Sequence, residues 1–194
     1  MPESQRRRTV TVVRTYLELT RPEQLIPARV EDHLLRLARV PVPSVPLVQR
    51  LYREIGAEYH WKDRWQWSSA EWRAWVEQIG YGIWILTHDG DVAGFFEFTA
   101  GEDDAIEISL FGLVKAFHGR GYGRHLLTSA VEIAWAIGAS RVWLHTCTLD
   151  DPKALPNYLA RGFTEFKKET YVAEVPDGAL DTGTRDPGAP RPPS

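Results

Sequence analysis

The apolar positions switch along the chain between a period of two and a period near 3.6, and the switches mark the elements. Residues 9–19 are rich in β-branched side chains and predict a strand with Val13, Thr15, Leu17 and Leu19 on one side. Residues 29–40 fit neither period: Leu35 and Leu37 alternate with basic residues, and Pro41 and Pro43 end the segment. From Ser44, a candidate N-cap, Leu47, Val48, Leu51, Tyr52 and Ile55 recur at helical spacing as far as Gly56. Ser68 and Glu71 form a capping box ahead of Trp72, Trp75, Val76 and Ile79, and Gly80 closes that helix. Strands are expected next at 82–87, 92–99 and 105–113, with Asp89-Gly90 as a hairpin turn between the first two. Leu127, Ala130, Val131 and Ala134 predict a helix ending at Gly138. A buried strand at 141–149, a short helix at 154–160 and a last strand at 164–175 complete the pattern.

This order predicts an α/β protein, a mixed sheet with helices on its faces, in one domain over residues 9–176. Residues 1–8 read as a basic flexible arm, and the proline- and glycine-rich 177–194 as a disordered tail. Composition narrows the function. Of 194 residues, 43% are hydrophobic and 25% charged, enough apolar content for a sizeable core. The net charge of −3 gives no general attraction to nucleic acid or anionic membrane, so neither is expected as a partner. The one cysteine, Cys147, excludes an internal disulfide, and no Cys/His cluster suggests a metal. No apolar run approaches the roughly 18 residues of a membrane span, and the first residues lack a secretory signal, so the expected location is cytoplasmic.

The segment 113–124 carries the chemistry. Gly119, Gly121 and Gly123 alternate where an expected strand becomes a helix, flanked by Arg120 and Arg124. A helix start presents unpaired N–H groups and the positive end of the dipole, and glycines let a phosphate approach that backbone. The spacing matches neither a Walker loop nor a dinucleotide fingerprint. A glycine-rich turn with solvated arginines is the plain alternative.

The run His118-Gly-Arg-Gly-Tyr-Gly123 resembles motif A of the GNAT (Gcn5-related N-acetyltransferase) family, Gln/Arg-x-x-Gly-x-Gly/Ala, with His118 at the Gln/Arg position. Asp151-Pro-Lys-Ala154 and Tyr158-Leu-Ala-Arg-Gly-Phe163 resemble the family's Asn-x-x-Ala and Tyr-x-x-x-Gly-Phe block. The resemblance implies the acyl-CoA N-acyltransferase fold, with splayed central strands holding the CoA. It also implies acetyl transfer from acetyl-CoA to a primary amine, by direct attack through a tetrahedral intermediate. The donor site is then expected to take in Leu113, Val114, Lys115, His118, Gly119, Arg120, Gly121, Tyr122, Gly123, Arg124 and Asp151. Leu113 would offer main-chain groups to the acetyl carbonyl and pantetheine, and the loop amides would hold the pyrophosphate.

An alkylamine with a pKa near about 10.4 arrives protonated, so the reaction needs a base, and the departing thiolate needs an acid. Glu107, six residues before Leu113, stands where histone-type relatives place a catalytic glutamate and is the first choice for the base. His145 on the next strand is its rival, and Glu97 a third candidate. Tyr158 occupies the family's tyrosine position and is the expected acid. Cys147 reads as a small buried residue.

Five of the eight tryptophans lie between positions 61 and 75. Trp72 and Trp75 share a helical stripe and belong to the core. Trp61, Trp65 and Trp67, with Asp63, are the candidate acceptor-binding residues, since aromatic faces beside an acid suit a cationic amine. Arg64 could equally pair an acceptor carboxylate; a cluster bracing the loop is the alternative for all of them. A small-molecule amine is the expected acceptor. Acetylation of protein lysines or amino termini, and a non-catalytic acyl-CoA sensor, are the alternatives. The strand at 9–19 lies outside the family core and could pair with the sheet or with a second subunit.

Overall fold

The computed structural model describes residues 7–57, 61, 64–78 and 82–176. Seven strands form one mixed sheet: β1 (Arg7–Leu19), β2 (Leu35–Val40), β3 (Gly82–His88), β4 (Asp91–Ala100), β5 (Ala105–Leu113), β6 (Arg141–Cys147) and β7 (Thr164–Pro176). Their spatial order is β2-β3-β4-β5-β6-β1-β7. The helices are α1 (Val45–Gly56), α2 (Ser69–Gln78), α3 (Tyr122–Ala136) and α4 (Ala154–Ala160). The expected fold class is therefore borne out.

Local chemistry accounts for most boundaries. The Ser68 N–H donates to Glu71 at 2.7 Å and the Glu71 N–H to the Ser68 hydroxyl at 3.3 Å, a reciprocal box that starts α2. Asp89 and Gly90 both take positive φ, 51° and 87°, as a tight hairpin turn between β3 and β4 requires. Ser44 precedes α1 in extended conformation but makes no side-chain capping bond; Pro46 in the first turn favours the helix start instead. The unassigned stretch 29–40 ends as β2, an edge strand paired only with β3, which is why basic residues alternate with its leucines. Strand β1 begins at Arg7, so Arg7 and Arg8 of the expected arm lie within it. Residues 1–6, the expected tail 177–194, and the helix-closing Ile79 and Gly80 fall outside the described residues.

Two apolar layers sandwich the sheet. On one face Leu126, Leu127, Ala130 and Val131 of α3 pack with Phe96, Phe98, Ile106 and Leu144. On the other, Val48, Leu51, Tyr52 and Ile55 of α1 and Trp72 of α2 pack with Ile83, Phe95 and Leu110. All neighbouring strands are antiparallel except β5 and β6, which pair in parallel only over Ala105–Glu107 and Arg141–Trp143. Beyond Glu107 the two strands part. A register shift contributes: Glu97 faces Leu110 and Phe98 faces Ile108, leaving Ser109 as an extra residue that bends β5. The β6 side of β5 from Ile108 to Leu113 is thus without a strand partner, and a cleft opens there.

β1, expected to pair with the sheet or with a second subunit, does the former. It lies between β6 and β7, antiparallel to both. After it, the chain crosses the outer end of α4: Ile26 N–H donates to Arg161 O at 3.0 Å, and Gly162 approaches Gln24 closely. A Cβ on Gly162 would stand 1.9 Å from the Gln24 carbonyl oxygen, and its φ of +93° disfavours any side chain. Gly162→Ala is expected to cost about 2–5 kcal/mol, combining strained backbone and overpacking. That corresponds to a fall of roughly 5–15 °C in Tm, read by thermal denaturation; an unchanged Tm would contradict the close approach.

Candidate active site

The cleft between β5 and β6 has a volume of about 750 Å³. At its mouth the chain leaves β5, turns through a 3-10 turn at Lys115–Phe117 and enters α3. Gly119 and Gly121 take φ of +78° and +81°, which lets the backbone fold back and aim the helix start into the opening. The first internal bond of this turn is His125 N–H to Gly121 O at 3.3 Å, so the Tyr122, Gly123 and Arg124 N–H groups are the unpaired first-turn donors. Tyr122 is pinned by its hydroxyl, which donates to Asp32 at 2.6 Å; this bond lowers the Asp32 carboxyl and raises the Tyr122 phenol.

Of the expected donor-site residues, Leu113, His118, Gly119, Arg120, Gly121, Tyr122, Gly123, Arg124 and Asp151 line the cleft. Val114 and Lys115 do not: the Val114 N–H donates to Ala93 O at 2.9 Å, turning that residue toward the α1 side. The His118 N–H donates to Lys115 O at 3.0 Å and its ring Nε2 lies 3.1 Å from Leu113 O, so His118 closes the turn and faces the cleft with its ring. Asp151 accepts from the Lys153 N–H at 2.8 Å, bracing the turn into α4. Lys153 and Asn157 join the lining, as does Asp150, whose carboxylate accepts from Thr146 and the Cys147 N–H.

Glu107 and His145, rivals for one role in the sequence, come together. His145 Nδ1 lies 3.3 Å from Glu107 Oε1, an ion-pair approach not aligned as a hydrogen bond, and the Thr99 hydroxyl donates to Glu107 Oε2 at 3.3 Å. His145 lines the cleft and Glu107 stands behind it. The imidazole also stacks on Tyr16 of β1, centroids 5.6 Å apart. Tyr158 lines the cleft from α4, its ring edge-on to Phe111 and Phe163; burial, then the Asp150 and Asp151 carboxylates, push its phenol well up. Cys147 also lines the cleft, and its thiol is raised by burial and by Asp150, which keeps it protonated and a poor nucleophile.

Glu97 is in a different position. It is fully buried, with Oε1 accepting from Arg64 at 3.2 Å and from the Ser109 hydroxyl at 3.1 Å, while among the described residues Oε2 meets no donor in hydrogen-bond geometry. Burial pushes its carboxyl above the ordinary 4.5, against the pull of Arg64. Arg64 is 6% exposed, lines the cleft, and lies 3.9 Å from the Trp75 ring centroid. Arg64→Met leaves a buried carboxylate unpaired and is expected to cost about 3–5 kcal/mol at neutral pH. The folded state holds the Glu97 proton more tightly than the unfolded state does. Stability therefore falls as pH rises from 4.5 through the raised folded value. The variant should thus approach wild-type stability near pH 4.5 and fall away above it. Denaturant titrations at a series of pH values check this, and a pH-independent loss would contradict it.

The tryptophans divide. Trp61 lines the cleft and packs on Tyr52 and Phe95. Trp67 packs instead on Trp72 and Trp75, and Trp65 is half exposed away from the cleft lining. Asp63 falls outside the described residues. Sequence reasoning missed Arg14 and Tyr171, which line the cleft from β1 and β7. The available signal was a polar set, Arg14, Tyr16 and Glu18, interleaved with the apolar positions of β1. Among the described residues no three metal-ligating side chains gather, and no helix is long and apolar enough to cross a membrane.

A mixed sheet that parts at its parallel pair over a helix N-terminus has the architecture of the acyl-CoA N-acyltransferase fold. Residues 48–163 match the model of the acetyltransferase (GNAT) family, and the chain belongs to that family. An uncharacterised N-acetyltransferase of Mycobacterium tuberculosis is 31% identical over 77 residues, 40% of this chain and 49% of the relative. The chain thus spans about half the length of this relative. An uncharacterised N-acetyltransferase of Escherichia coli K12 is 25% identical over 118 residues, 57% of this chain and 71% of the relative. Among solved structures, a GCN5-related N-acetyltransferase of Sphaerobacter thermophilus superposes with a TM-score of 0.66 at 14% identity, over 88% of this chain and 53% of that one.

Proposed function

We propose that the chain transfers an acetyl group from acetyl-CoA to a primary amine of a small molecule. The observation that carries this reading is the cleft itself: free helix-start donors at one end and a histidine backed by a glutamate at the other. The residues fit the donor. The Gly119–Arg124 backbone forms an anion cradle with Arg120, Arg124 and Lys153 beside it, and the unpaired edge of β5 suits an extended pantetheine. Bound there, acetyl-CoA supplies an activated acetyl thioester.

His145 takes the proton from the incoming amine, and Glu107 fixes the ring and supports its positive charge, the arrangement of a base with an orienting carboxylate. Glu107, first choice for the base, thereby becomes a positioning residue. Tyr158, kept protonated by its burial, lines the cleft from α4 and is the proton source for the departing sulfur. Trp61 walls the acceptor side. Thiol release from acetyl-CoA over a panel of small amines and peptides tests the reading. Turnover of free amines supports it, turnover of peptides alone would shift the acceptor to proteins, and binding without turnover would leave a sensor.

A further inference from the structure

Strand β1 brings a cation into the cleft that the motifs of the donor site do not use. The β1–β6 register sets Arg14 opposite Cys147 and Tyr16 opposite His145, so Arg14 and His145 are diagonal neighbours on one face of the sheet. Such pairs lie about 7–8 Å apart, within reach of a long side chain. Arg14 lines the cleft, and among the described residues its buried Nε has no hydrogen-bond partner and its guanidinium makes no ion pair. The acid opposite it on β7, Glu169, is held by the Tyr16 hydroxyl and by Lys167, both at 2.6 Å. Asp150, across the cleft rim, already accepts from Thr146 and Cys147. Arg64 on the other wall faces Glu97. Tyr171 presents its ring 5.1 Å from the Arg14 guanidinium carbon, holding the planar fork without neutralising it.

We propose that Arg14 binds a carboxylate of the acceptor, so that the substrate class is an amino acid or other amino-carboxylate whose amine reaches His145 while its acid is clamped on β1. The inference rests on the acetyltransferase reading above. A guanidinium fork matches a carboxylate in two parallel hydrogen bonds, and a half-buried guanidinium with no direct ion pair among the described residues favours such a partner, since the nearby Glu169 is already engaged by Tyr16 and Lys167. The donor phosphates have their own cations at the α3 end, Arg120, Arg124 and Lys153.

The experiment measures thiol release from acetyl-CoA with glycine, β-alanine and γ-aminobutyrate, each beside its carboxamide. For at least one pair the wild type should prefer the acid by about tenfold or more in kcat/KM. Arg14→Met should erase that preference by raising KM for the acid, leaving the KM of the amide and the Kd of acetyl-CoA unchanged. Arg14→Lys, which keeps the charge and the stem packing, should restore part of it. Equal use of acids and amides by the wild type would overturn this inference alone. So would a weakened acetyl-CoA Kd in Arg14→Met, since Arg14 would then serve the donor. Acetyl-CoA binding with no turnover of any amine would overturn the acetyltransferase reading and this inference with it.

Discussion

Replacing His145 with Gln is expected to lower kcat by about 10²–10⁴, the usual contribution of a positioned base, and to leave acetyl-CoA affinity at its wild-type value. The expectation follows from where the ring stands, on the cleft wall with Nδ1 3.3 Å from the Glu107 carboxylate. Under the proposed mechanism Glu107→Gln removes the charge that would orient and support the imidazolium, so it too is expected to lower kcat with little effect on the acceptor KM. If the two side chains act as a unit, as proposed, the double variant is expected to be little worse than His145→Gln alone. Steady-state kinetics on the three variants decide the matter. If Glu107→Gln fell and His145→Gln kept wild-type kcat, Glu107 would itself be the base and the pair would be a structural contact.

Gly123→Glu is expected to weaken donor binding by roughly a hundredfold without unfolding the protein. Gly123 does not need a left-handed backbone, and a Cβ there meets only Leu113 Cδ1, at an ordinary 3.6 Å. An acid in the first turn of α3 also suits the helix dipole. Its carboxylate would stand where the free N–H groups of Tyr122, Gly123 and Arg124 await an anion, and would compete with the donor pyrophosphate. The loss of charge-assisted bonds on that scale is about 3 kcal/mol, roughly a hundredfold in acetyl-CoA Kd. Calorimetric titration with a parallel Tm measurement checks it; unchanged affinity in a folded variant would move the phosphate site elsewhere.

Local elements were legible in the residues because their determinants are local. The Ser68–Glu71 box and the stripe from Trp72 to Val76 specify α2 within ten positions. The glycines of the 119–123 loop marked a strand-to-helix turn open to a phosphate or to plain solvent, and Gly119 and Gly121 do take the left-handed backbone such a turn uses. What could not be read were contacts set by long-range topology. β1 meets its partners across separations of 135 and 153 residues, as in the Val13–Thr148 and Tyr16–Glu169 bonds, and no periodicity in 9–19 names those partners. Glu107 and His145 were each visible as titratable side chains on strands. Their meeting depends on β5 and β6 staying paired as far as Glu107 and parting beyond it. Arg64, expected at a surface loop or an acceptor carboxylate, is drawn inward by Glu97, which nothing near it in sequence reveals. Arg14 joined the cleft for the same reason as β1 itself.

The most direct measurement of the central claim uses acetyl-CoA labelled in its acetyl group, an excess of amine and a short reaction followed by mass spectrometry of both acceptor and protein. Direct transfer predicts the label on the acceptor nitrogen and none on the chain, since the Cys147 thiol is held protonated by burial and by Asp150. Label accumulating on Cys147, or no labelled acceptor with any amine while acetyl-CoA binds, would contradict it.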